Sequence, residues 1–157
     1  MGLLEPGAGA VPSSAVRTLA RMTTGLLALA SALHLAWGLG ASFPFRSRKE
    51  LADAVVGAAA VPPPAACFGV AGALAACAAL VADVAPVSPG LRRSGLGVMA
   101  AVFGLRGGLG LLGETDLVSP GSNSEQFRRL DRRLYAPLCL ALSAGSLASL
   151  VGARRQA

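Results

Sequence analysis

Four long apolar runs, separated by short segments rich in Pro, Gly, Ser and charge, set the pattern of this chain. They fall at about residues 18–40, 65–84, 95–113 and 134–152. At about 1.5 Å per residue, each helix is long enough to cross a hydrocarbon core of about 30 Å. The connections are too short to hold a separate domain. The pattern therefore predicts an all-α fold, a single four-transmembrane-helix bundle of up-down topology over residues 17–153.

The segments between the runs carry helix punctuation. Residues 1–16 have no periodicity and are expected to form a disordered tail, with 154–157 a short basic tail. The first run is read as a retained span. A cleaved signal would need a small-x-small site where Trp37 and Gly40 stand. Ser47-Arg-Lys-Glu50 has capping-box spacing and predicts a short interfacial helix over about 48–58, broken by Pro62, Pro63 and Pro64. Ser122-Asn-Ser-Glu125 repeats that spacing. Phe127, Leu130 and Leu134 then predict an amphipathic turn on the membrane that runs into the fourth span, with Pro137 resetting it. A Pro-rich turn over 85–94 precedes the third span. Two small-residue patterns, Gly69/Ala73/Cys77 and Gly104/Gly108, are candidates for close helix approach and make a homo-oligomer a candidate assembly.

Composition sharpens this picture. Of 157 residues, 54% are hydrophobic and 14% charged, and the mean hydropathy of +0.60 lies outside the soluble range. A net charge of +6 would raise nucleic acid as a partner in a soluble protein. Here the basic residues cluster beside the apolar runs, where they anchor at headgroups, and no nucleic-acid module is present, so the partner is the lipid bilayer. Cys67, Cys77 and Cys139 sit inside runs without C-x-x-C spacing and read as small buried hydrophobes. Basic residues are nearly balanced between the two sides of the bundle. Those beside the termini lie closer to the spans, which favours cytoplasmic termini.

Candidate chemistry begins with Arg106, inside the third run. An arginine at membrane depth needs a partner, a wet cavity or reach to the headgroups. His34 and Arg106 each lie roughly 9 to 10 Å inside the same end of their spans at about 1.5 Å per residue. Tyr135 enters the fourth span from that end, Asp131 precedes it by one turn on the same face, and Trp37 lies a turn from His34. His34, Trp37, Arg106, Asp131 and Tyr135 thus form a candidate half-buried ligand site on the side opposite the termini. Each also has a plainer role: Arg106 snorkelling or pairing with Asp131, His34 as an interhelical hydrogen-bonder, Trp37 and Tyr135 as interface-belt aromatics.

The chain resembles an uncharacterised bacterial family of small four-helix integral membrane proteins, mainly actinobacterial, known as a domain of unknown function. The resemblance rests on His34-Leu-Ala-Trp37-Gly38, Leu105-Arg106-Gly107 and Asp131-Arg-Arg-Leu-Tyr135-Ala-Pro137-Leu-Cys139, and covers about residues 19–151. It implies membrane location and four helices and supplies no activity. The leading reading is a structural or accessory membrane protein without catalysis. The alternative is a binder of an amphipathic or anionic ligand, such as a lipid headgroup or quinone, held by the candidate cluster. An oligomeric small-solute transporter is third. With one histidine, a bis-histidine haem is impossible within the chain. Neither a cofactor nor a metal is expected, and no nucleophile elbow supports hydrolysis.

Overall fold

A computed structural model describes residues 13–122 and 124–155; most of the expected N-terminal tail and the end of the basic C-terminal tail lie outside them. The described residues are helical with turns and no strand. Helix α1 spans Ser13–Gly38, α2 Arg48–Leu51, α3 Pro64–Ala82, α4 Pro89–Leu112, α5 Glu125–Leu130 and α6 Ala136–Arg155. Wider π-type turns continue α2 over Ala52–Val56 and join α5 to α6 over Asp131–Tyr135. A single 3-10 turn, Thr115–Leu117, follows α4. Four helices are long and apolar enough to cross a membrane.

The four neighbours run antiparallel, as paired contacts show. Gly38 meets Phe68 and Ser31 donates to the Ala71 carbonyl, linking α1 to α3. Gly95 meets Leu80 between α4 and α3. Gly97, Gly104, Gly107 and Gly110 of α4 face Leu150, Ser143, Leu140 and Ala136 of α6 in reverse order. Gly145 lies against Thr23, which brings α6 to α1. The shared core is small: Leu27, Ala78, Val81, Leu96, Met99, Leu142 and Leu150.

The distribution of polarity is that of a lipid-facing protein. Met22, Leu29, Val98, Val102, Leu105 and Leu112 are exposed, whereas Thr23, Ser143, Ser146 and Ser149 are buried. In water such an apolar exterior would be costly. In a bilayer the driving force between helices is close packing and hydrogen bonding instead. Ser143 accordingly donates to the Ala100 carbonyl across the α4/α6 seam at 2.7 Å, while Ser146 and Ser149 donate back to carbonyls in their own helix.

Helix ends follow local chemistry, with some shifts from expectation. Ser47 accepts from the Glu50 amide, as its spacing predicts, and Glu50 in return accepts from Arg46 rather than from Ser47. The third long helix starts earlier than 95, because Ser88 caps it and Pro89 fits its first turn. The start of α5 is capped by Ser124, not Ser122: Ser124 Oγ accepts from the Phe127 amide, and Ser122 instead bonds Ser119. The first helix begins at Ser13, so residues 13–16, expected in the tail, are helical.

The small-residue patterns divide differently from their spacing. On α3 the buried positions are Cys67, Ala71, Ala78 and Val81, and Gly69 and Ala73 face outward. On α4 the seam runs through Gly104, Gly107 and Gly110, and a Cβ on Gly108 would meet nothing.

Candidate functional site

The loops after α1 and α4 gather at one end of the helices and define the surroundings of the candidate residues. There α2 is held from both sides. Its Leu51 packs with Trp37 and Cys67, and with Val55, Phe45 and Leu33 these residues form a second core. The carbonyls that end a helix have no partner within it. Here two of them are taken by side chains from the α5–α6 segment: Ser124 donates to Asp53 at 2.9 Å and Tyr135 to Ala54 at 3.1 Å. Gly57 ends the turn with φ of 73°, and a Cβ there would lie 2.8 Å from the Phe127 ring. Glycine is required on both counts.

Arg106 and Asp131 meet. The guanidinium grips the carboxylate through both terminal nitrogens, Nη2 to Oδ1 at 2.7 Å and Nη1 to Oδ2 at 3.4 Å. Asp131 is 2% exposed, and the Arg106 side chain 25%. Thr115 completes the group, its hydroxyl donating to Asp131 Oδ2. Its position follows from the Gly113 αL cap of α4, which turns the chain directly into the 3-10 turn carrying Thr115. The space beside Asp131 and Thr115 is ≈ 10 Å³, room for about one water at most. A carboxylate at this depth is tolerable because its oxygens are satisfied by a cation and a hydroxyl.

The other candidates make their hydrogen bonds elsewhere. Tyr135 shares the π turn with Asp131, but its hydroxyl is committed to the Ala54 carbonyl. His34 Nδ1 donates to the Ala30 carbonyl at 2.8 Å, and its ring lies 4.8 Å from that of Trp37. Trp37 donates through Nε1 to the Phe43 carbonyl at 2.7 Å, and its own carbonyl accepts from Arg48. Trp37 thus fastens the loop after α1. Among the described residues, no hydrogen bond or ion pair links His34 or Trp37 to Arg106, Asp131 or Tyr135. His34 and Trp37 thus form one group and Arg106 and Asp131 another, while Tyr135 bonds the turn that continues α2. Thr115 lay outside the sequence reading because it sits in a loop without periodicity. Its one signal is position, two residues beyond a helix-ending glycine. Among the described residues no group of three His, Cys, Asp or Glu could hold a metal.

A second polar region lies at the opposite end, beside the start of α1. A cavity of ≈ 510 Å³ opens between the four long helices and is lined by Arg17, Arg21, Thr24, Asp83, Arg92 and Ser149, among others. Arg92 pairs with Asp83 at 2.9 Å and also donates to the Leu80 carbonyl.

An apolar exterior, four membrane-length helices and a bonded ion pair at one end define a small all-helical protein built for a bilayer. The chain belongs to the family described as "Protein of unknown function (DUF3995)", whose model matches residues 26–146. That match includes all five candidate residues as well as Thr115. No curated protein and no solved structure matches the chain.

Proposed function

We propose that the chain is a multi-pass, four-helix membrane bundle with cytoplasmic termini, serving as a structural or accessory protein rather than an enzyme. The observation that carries this reading is the closed bonding around Arg106. Both terminal guanidinium nitrogens engage Asp131, Thr115 donates to the same carboxylate, and Tyr135 is engaged elsewhere. A group so occupied ties α4, the following turn and the α5–α6 segment together and leaves Arg106 no terminal nitrogen without a partner to offer an anion. Outward-facing Gly69 and Ala73 on α3 support lateral association with a second copy through a small-residue face.

The test is Arg106→Leu, expressed in its native membrane and compared with Arg106→Leu/Asp131→Leu. A scaffold role predicts low yield for the single variant and recovery in the double, because the lone buried carboxylate is then removed. If Arg106→Leu is abundant and folded while a cellular phenotype disappears, the scaffold reading fails. A C-terminal reporter active only outside the cytoplasm would reverse the orientation.

A further inference from the structure

The cavity at the terminal end has features that the Arg106 centre lacks. On α1, Arg17 and Arg21 are one turn apart on one face, and Thr24 continues that face about 10 Å further along the axis than Arg17, at about 1.5 Å per residue. Arg17 and Arg21 are exposed and have no ion-pair partner among the described residues. Arg92 adds a third cation across the mouth, partly balanced by Asp83. Ala20, Val81 and Ala82 line the wall beside these charges and make much of it apolar. A Cβ on Gly25 would meet nothing within 4 Å. Thr24 lines the cavity, with its hydroxyl oxygen buried in the wall and without a hydrogen-bond partner.

We propose that this cavity binds an anionic phospholipid, its phosphate held by Arg17 and Arg21 and an acyl chain leaving along the apolar wall. Three physical points select this class of ligand. The mouth is net positive, so the head group is an anion. The wall beside the arginines is largely apolar, through Ala20, Val81 and Ala82, so the ligand is an amphipath rather than a free ion. The volume of ≈ 510 Å³ falls within the range of small-molecule sites, about 300–1,000 Å³, and suits a head group with part of a chain rather than a whole lipid. Surface arginines that merely anchor at headgroups need no interhelical cavity beside them. The inference rests on the membrane placement proposed above. Recovery of the protein in the membrane fraction reads that placement separately, so the two can fail independently.

The experiment is native mass spectrometry of delipidated protein titrated with dioctanoyl phosphatidylglycerol, dioctanoyl phosphatidylcholine or inorganic phosphate. Expected is a single bound phosphatidylglycerol, held about tenfold more tightly than phosphatidylcholine. Arg17→Gln/Arg21→Gln should weaken it about tenfold. Arg132→Gln/Arg133→Gln removes the same charge at the other end and should leave it unchanged. Equal binding of the two lipids, or equal loss in both double variants, overturns the site in favour of general interfacial charge. Inorganic phosphate binding as tightly as the lipid overturns the acyl component and leaves a free-anion site. Should Arg17→Gln/Arg21→Gln fail to fold, the contrast between the two lipids in the wild type decides.

Discussion

The molecule holds its charges in two contrasting ways. At the loop end, the two terminal nitrogens of Arg106 are matched by the two oxygens of Asp131, with Thr115 alongside and ≈ 10 Å³ of free space. At the terminal end, Arg17 and Arg21 stand beside ≈ 510 Å³ of space, with an unpartnered threonine hydroxyl in the wall. A membrane protein satisfies a cation either with its own carboxylate or with something from outside. The first solution joins elements of the chain, and the second leaves the chain incomplete.

This contrast breaks most visibly if Asp131 is replaced. Asp131→Ala removes the partner of a half-buried cation and should cost about 3–5 kcal/mol, measured as lost reversible unfolding stability in detergent. Neutralising Arg17 and Arg21 together should change that stability by less than about 1 kcal/mol. A smaller effect distinguishes two glycines. Gly107→Ala drives a methyl against Leu140 and the Ala136 carbonyl and should cost about 1–3 kcal/mol. Gly25→Ala enters open space beside the cavity and should be neutral or stabilise by up to about 1 kcal/mol through helix propensity; equal losses at both would show that the cavity closes in the bilayer. The subtlest comparison is one substitution at both ends, read in lipid-free detergent by thermal melting. Thr115→Val removes a hydrogen bond to a buried carboxylate and should cost about 1.5–2 kcal/mol, whereas Thr24→Val removes an unpartnered hydroxyl and should raise stability by about 1 kcal/mol. A loss at Thr24 would mean that its hydroxyl has a partner in solution.

The long helices were legible because unbroken apolar length is a direct physical signal. Their ends were less so: Ser122 and Ser124 both offer a hydroxyl before Glu125, and only the approach of α2 decides between them. Among the candidate residues, depth along a helix could be counted from the sequence, and it placed Arg106 and His34 at one level, with Asp131 one turn before Tyr135 at the same end. Which neighbour each faces is a matter of rotation and packing order, which residue counting does not carry. Helix α1 packs on α3 and α6, so Trp37 joins the α2 core, with His34 against its ring, rather than Arg106. Thr115 gave no periodic signal. Arg17, Arg21 and Arg92 read equally well as headgroup anchors, because a space between four helices exists only once they are assembled.

The π turn between α5 and α6 has a consequence for how this chain tolerates changes of length. A π turn holds one more residue than the α turn it replaces. It works as a phase shifter between two otherwise coaxial rods, one turned to α2 through Phe127 and the other to α4 through Ala136. Deleting a single residue within Asp131–Tyr135 would not simply shorten the loop end. It would restore one uninterrupted helix and swing Phe127 about 100° away from Gly57, unlocking the cap while every long helix kept its length.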